Sequence, residues 1–200
     1  MKIVGIDPSL VNTGLVSLEG NPGAWSVSNL SLVTTKSANK TPAQIKAQKK
    51  AKKTPTQPVR KNYDDLDRAR ELLEKILAFV EDADFICVEI PQIGGADMQA
   101  RSMWTSGVAL GLIASLSPEK VIALTPVEVK NATGNKKASK EEMCDWAYAL
   151  YPNAPWPARK LKGNMVRLIT NHHIADALAS IAAGLEKKNL WLSQSVVSAS

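Results

Sequence analysis

The chain has 200 residues, 44% of them hydrophobic and 22% charged, and a formal net charge of +6. That length and balance suit one globular domain with its own core and exclude a disordered or fibrous chain. The longest apolar stretches, 108–116 and 175–183, fall short of the roughly 18 residues a membrane span needs. Met1-Lys2 runs straight into a strand-like segment rather than a signal peptide, and Cys87 and Cys144 share no CxxC spacing. A cytoplasmic protein is therefore expected, with reduced cysteines, no membrane contact and no thiolate zinc site.

The opening Lys2-Ile3-Val4-Gly5-Ile6 is a β-branched run ending at Asp7-Pro8, and Asn12-Thr13-Gly14 is turn chemistry before a second strand over 15–18. A looser alternation of Trp25, Val27, Leu30, Leu32 and Val33 gives a third strand over 24–35, so a three-strand meander is expected. Residues 37–62 turn to Lys, Ala, Thr, Gln and Pro and read as a loop. A helix follows, capped by Asn62 or Asp64, with Leu66, Ala69, Leu73, Ile76, Leu77 and Val80 at helical spacing. The continuous apolar run 84–90 reads as a buried parallel strand. A small-residue helix over 98–116 and a fifth strand over 120–124 come next. A helix over 139–150 opens on a capping box from Ser139 to Glu142, and a proline-rich loop leads to a last helix over 171–186. The order describes an α/β fold: a five-stranded mixed sheet, the antiparallel meander plus two parallel strands, flanked by helices in one domain over 1–186, with a tail over 187–200.

The positive charge is local. Residues 36–61 hold eight lysines and one arginine with no acid, a contribution of +9 that leaves −3 on the rest of the chain. A basic stripe on a near-neutral body suits a polyanion held in a defined place, although a charge run is more often a solvated face.

Three carboxylates stand where a folded chain avoids them. Asp7 ends the first strand, Glu89 lies between Val88 and Ile90, and Asp176 sits in the small apolar run Ile174-Ala175-Asp176-Ala177-Leu178. An unpaired charge in such places costs several kcal/mol unless a cation or hydrogen bonds compensate. His173 precedes Asp176 by three residues and so shares its helical face. Three carboxylates and one imidazole make a pocket for hard divalent cations such as Mg²⁺ or Mn²⁺. In pairs about 3.5–4 Å apart, such ions clamp the attacking and leaving oxygens of a phosphodiester. Each residue also has an ordinary alternative: Asp7 before Pro8 can begin a turn, Glu89 can pair with a lysine, and His172-His173 can pack at a helix start.

Gly5-Ile6-Asp7-Pro8-Ser9 with Thr13-Gly14, Cys87-Val88-Glu89-Ile90-Pro91-Gln92, Thr125-Pro126 with Val129-Lys130 and Thr133-Gly134, and His173-Ile174-Ala175-Asp176-Ala177-Leu178-Ala179 resemble, in that order, the motifs of RuvC-type Holliday-junction resolvases. The resemblance implies a ribonuclease H-like fold, a homodimer, and metal-dependent resolution of four-way DNA junctions by paired symmetric nicks, with two Mg²⁺ ions per site, Mn²⁺ as a substitute and no small-molecule cofactor. It also implies that Asp7, Glu89, His173 and Asp176 are the catalytic and metal-binding residues. Three departures stand out: Ser9 follows Asp-Pro where glycine is usual, the basic insertion 36–61 separates the first two acids, and Gln92 occupies the place of the base-unstacking aromatic. The insertion suits a phage or viral variant of the family.

For DNA, Lys130, Lys136, Lys137 and Lys140 gather around Thr133-Gly134-Asn135, where ammonium groups and backbone amides can hold phosphates. Arg101 is a further DNA-binding candidate, and Arg159, Lys160, Lys162 and Arg167 add charge before the last helix. The five tryptophans are scattered and suit packing more than a stacking platform, and Trp104 with Gly107 and Gly111 marks a face for a two-fold dimer. Competing readings are a same-fold nuclease for forks, flaps or structured RNA, and a junction-binding protein without catalysis. An actin-like nucleotide-binding protein needs two domains, for which 200 residues leave no room.

Overall fold

The computed structural model describes residues 1–36, 61–90, 100–161 and 163–188, with the backbone alone for Lys61. Strand β1 (Lys2–Asp7) lies at the centre of the main sheet, its four middle residues buried. The antiparallel strand β2 (Asn12–Asn21) pairs with one edge of it, and β3 (Ala24–Thr34) pairs antiparallel beyond β2, with a register shift at Ser17/Leu18. On the other edge β4 (Phe85–Glu89) runs parallel to β1, and β5 (Val121–Leu124) runs parallel beyond it. The order β3-β2-β1-β4-β5 is the expected mixed sheet.

Both faces of β1 are covered, which is why it reads as an unbroken apolar run instead of an alternating one. Val4 and Ile6 face one core, closed by Leu72, Ile76 and Val80 of α1 (Lys61–Val80) and Ile113 of α2 (Ala100–Ala114). Ile3 faces the other, built on α3 (Pro126–Asn131), α4 (Lys140–Leu150) and α5 (Asn171–Lys187). Helix α5 supplies Ile174, Leu178 and Ile181 to that core, each burial favouring the folded state by roughly 1.5–3 kcal/mol.

Helix α5 also lies unusually close to the sheet. A Cβ on Gly5 would stand 2.0 Å from the Ala177 carbonyl oxygen, and one on Gly14 would stand 2.0 Å from the His173 carbonyl oxygen. Only glycine permits such backbone-to-backbone approach. The two glycines therefore fix the height and position of α5 over β1 and β2.

Four expectations change. Helix α1 begins at Lys61, which places Asn62 and Asp64 inside its first turn and not at its cap. Its buried residues are Asp64, Asp65, Arg68, Leu72, Ile76 and Val80, whereas Leu66 and Leu77 are exposed. The helix is turned so that its first half buries an ion pair; apolar spacing alone could not show this. The stretch after β5 holds the short helix α3, whose Thr125 cap and Glu128 form a reciprocal capping box with Pro126 in the first turn. The proline-rich loop before α5 contains a hairpin, β6 (Ala158–Leu161) and β7 (Asn164–Arg167), turned at Gly163 with φ of 90°.

Ser139 caps α4 through the expected box with Glu142. Trp25 and Trp156 are buried, Trp104 is 52% exposed, and both cysteines are free. Among the described residues no helix is long and apolar enough to cross a membrane. Most of the basic insertion (37–60), Pro91 and Gln92, and most of the tail (189–200) lie outside the described residues.

Candidate metal centre

Strands β1 and β4 are parallel neighbours with Ile6 opposite Val88, so their next residues, Asp7 and Glu89, emerge at the same edge of the sheet. Carboxyl ends of adjacent parallel strands are where α/β folds place their ligands. Asp7 lies opposite Gly14 on β2, and the His173 carbonyl rests on Gly14. The start of α5 is thereby set beside Asp7. The His173 Nδ1 lies 2.6 Å from Asp7 Oδ2, and both side chains are mostly buried. Asp176, one turn further along α5, faces the same edge.

The loop between Asp7 and β2 is held from two sides. The Thr13 hydroxyl donates to the Ser9 carbonyl at 2.6 Å and accepts from the Ser9 amide at 3.1 Å. The Leu10 carbonyl accepts from the Thr35 hydroxyl and, at 3.2 Å, from the Arg68 guanidinium, whose Nε donates to Thr35 at 3.0 Å. At the other end, the Asn171 side-chain amide donates to the Tyr148 hydroxyl at 3.1 Å and to the Pro157 carbonyl at 3.0 Å, tying down the first turn of α5. Thr13 was visible in the sequence as turn chemistry and as part of the Thr13-Gly14 motif, but not as the clasp on Ser9. Arg68 and Asn171 carried no signal there, because their partners are distant in the chain.

Negative charge is concentrated at this edge. Burial, then the charges of Asp7 and Asp176, push the Glu89 carboxyl up to about 7 against the opposing pull of Lys130. Burial, then Asp7, push Asp176 up to about 7 against His173, Lys140 and Lys130. Asp7, Glu89 and Asp176 therefore act on one another electrostatically, and His173 acts on Asp7 and Asp176.

The side chains do not form a ready-made cage. Among the described residues no three His, Cys, Asp or Glu groups converge tightly enough to hold an ion, and Asp7 and His173 bond to each other. In donor chemistry the set nevertheless fits a hard divalent cation: carboxylate oxygens with one imidazole, and excess negative charge that such an ion would neutralise.

The lysines divide. Lys130, on α3, and Lys140, at the start of α4, are near enough to act on the acids. Lys140 Nζ lies 3.4 Å from His172 Nε2, and His172 Nδ1 lies 2.8 Å from the Ile169 carbonyl oxygen, so His172 points away from Asp7 toward α4. Lys136 and Lys137 are exposed in the loop between those helices. Arg101 stands on α2, on the opposite face of the sheet. Its guanidinium grips both oxygens of buried Asp65 on α1, which also accepts from the Trp104 indole at 3.0 Å.

A mixed sheet of this order, with acids at the ends of β1 and β4 and on the helix that crosses them, is the ribonuclease H-like architecture. Two solved structures share it along nearly the whole chain. T. thermophilus RuvC in complex with a Holliday junction substrate is 20% identical, covers 95% of each chain and superposes with a TM-score of 0.57. The Thermus thermophilus RuvC structure is 21% identical over 95% of this chain and 98% of its own, with a TM-score of 0.55. No protein-family model and no curated protein sequence matches the chain. The fold is that of the RuvC resolvases.

Proposed function

We propose that the protein is a divalent-metal-dependent endonuclease of the cytoplasm, a homodimer that resolves four-way DNA junctions by paired symmetric nicks, with one nuclease domain over 1–186. The observation that carries this reading is the cluster of Asp7, Glu89, His173 and Asp176 at one edge of a RuvC-type sheet. The relative with the same fold was solved with a Holliday junction as its substrate.

Asp7, Glu89, Asp176 and His173 would hold Mg²⁺, or Mn²⁺ in its place. When bound, the ions supply Lewis-acid stabilisation of the phosphodiester oxygens and lower the pKa of the attacking water. The chain's own residues do the rest. Lys130 and Lys140 draw the phosphate backbone to the acids, and Lys136 and Lys137 extend that contact along the exposed loop. Among the described residues, the Asp7–His173 bond leaves the Nε2 of His173 without a hydrogen-bond partner, available to bind the ion or to accept a proton from the attacking water. Water adds to phosphorus, a phosphorus–oxygen ester bond breaks, and the leaving oxygen takes up a proton. Met103 and Trp104 are 43% and 52% exposed on α2 beside Gly107 and Gly111, where an added Cβ would meet nothing within 4 Å. That open face suits a two-fold partner.

The test is cleavage of a labelled synthetic four-way junction beside fork, flap and linear duplex of matched sequence, in Mg²⁺ or EDTA. Paired nicks confined to the junction and absent in EDTA establish the reading. Faster cutting of forks or flaps replaces the substrate, and tight binding without cutting replaces the activity.

A further inference from the structure

The hairpin β6–β7 has no place in the metal centre, yet the chain passes directly from it into α5. Its eight strand residues are exposed except Ala158, and among the described residues its two strands pair only with each other. A lone two-stranded hairpin is marginal in water unless something packs on it. This one is tethered at its base: the Leu168 amide donates to the Pro157 carbonyl at 3.1 Å, and the Arg167 guanidinium lies 3.8 Å over the Tyr148 ring. Beyond the base it presents apolar side chains to solvent, with Met165 70% exposed and Ile169, just past β7, 87% exposed.

Cations accompany these apolar groups. In the register, Lys160 lies opposite Met165 and Arg159 opposite Val166, so each face of the hairpin pairs a cation with an apolar side chain. From Trp146 to Ala175 the sequence contains Arg159, Lys160, Lys162 and Arg167 and no acid. At the hairpin's base a cleft of about 320 Å³ runs between α4 and the entry to α5, lined by Tyr148, Cys144 and Leu168, by the acids Glu141 and Asp145, and by His172 and Lys140. The ring of His172 lies 4.1 Å from that of His173, so the cleft opens beside the metal centre.

We propose that the β6–β7 hairpin and this cleft are the surface that receives nucleotides unstacked at the branch of the DNA. Apolar side chains insert between bases, cations hold the flanking phosphates, and a displaced base enters the cleft, where the Arg167 guanidinium on Tyr148 offers a planar face and Glu141 and Asp145 can accept from an exocyclic amino group. The hairpin's own charge is wholly positive and complements DNA, and the cleft at its base adjoins the site where the strand would be cut. The inference deepens the junction-nuclease reading and rests on it.

The probe is a four-way junction carrying 2-aminopurine at the branch, beside a matched linear duplex, both titrated in EDTA with the full chain. The variants are Met165→Ala/Ile169→Ala, which removes apolar tips that are already exposed, and Arg159→Gln/Lys160→Gln. Wild-type protein should raise the 2-aminopurine fluorescence. The alanine pair should abolish that rise and weaken junction binding roughly tenfold, the scale of losing a base contact, with duplex binding and melting temperature unchanged. The glutamine pair should weaken both substrates and lower the salt dependence. If the alanine pair leaves fluorescence and junction affinity within twofold of wild type, the inference falls while the nuclease reading stands. The same holds if its only effect is a change of oligomeric state in sedimentation, which would make the hairpin a self-association surface. Wild-type protein that does not prefer junction over duplex overturns both.

Discussion

Asp7 and His173 are 166 positions apart in the chain, and their side chains meet at 2.6 Å. The contact exists because Asp7 ends β1 opposite Gly14, and Gly14 has no side chain to keep the His173 backbone away. One pairing register and one missing Cβ thus bring the two ends of the sequence into the same site.

Replacing an acid of the cluster should separate cutting from binding. Asp7→Asn and Glu89→Gln keep size and shape but remove a charge that would hold a cation. Junction cleavage should fall by at least 10³-fold while gel-shift affinity in EDTA changes less than threefold. An Asp7→Asn protein that cuts at the parental rate would sink the assignment of the metal centre.

The raised carboxyls predict a pH effect on stability. Glu89 and Asp176 rise from ordinary values of 4.5 and 3.8 to about 7, chiefly through burial. Between those limits the folded chain holds protons that the unfolded chain has lost, so stability falls as pH rises from about 4 to about 7 and levels off above it. The chelated protein should melt several degrees higher at pH 5.5 than at pH 8. Mg²⁺ should raise the melting temperature more at pH 8, where the carboxylates are free of protons. A metal-free melting temperature that climbs from pH 5.5 to 8 would contradict the arrangement.

Gly14→Ala tests how α5 is seated. The new methyl group would overlap the His173 carbonyl, a backbone atom that cannot turn aside. We expect a loss of about 1–3 kcal/mol in urea unfolding, as for other overpacked sites, together with a fall in cleavage larger than the Asn or Gln variants of Lys136 produce. Unchanged stability and activity would mean that the helix can lift without consequence.

The buried ion pairs of α1 make a separate prediction. The Asp65 side chain is 3% exposed between Arg101 and Arg68, and the hydrogen bond from Arg101 is the main cause holding its carboxyl below the ordinary value. Asp65→Ala should cost about 3–5 kcal/mol, because it leaves the buried Arg68 without its acid. Arg101→Ala should cost less, since that side chain is 45% exposed. Equal costs in denaturant titrations would show that the network is not centred on Asp65.

Lysine contributions should appear in salt titrations. Lys130→Gln and Lys137→Gln should each weaken junction and duplex binding and reduce the slope of log affinity against log salt by about one. Deleting residues 40–53, a segment outside the described structure, should flatten it further. A slope unchanged by all three alterations would remove these lysines from the DNA-binding surface.

Much of this was legible in the residues. The apolar run of β1, the Asn12-Thr13-Gly14 turn, the buried strand carrying Glu89 and the His173–Asp176 spacing are local patterns, set by side-chain periodicity and turn chemistry over a few positions. So was the capping box at Ser139, whereas the box at Thr125 and the short helix it opens went unread. What residues 158–167 do was not legible, since a hairpin of mixed cations and apolar groups has no clean alternation to read. Nor was the rotation of α1, because its buried face is half polar and acquires its meaning from Arg101 and Thr35, distant in sequence. Local chemistry determined which segments are strands or helices and which acids are out of place. Only the packing of α5 on Gly5 and Gly14 decided that His173 and Asp176 stand beside Asp7. Contacts of this kind depend on where the backbone travels through space, which no window of neighbouring residues records.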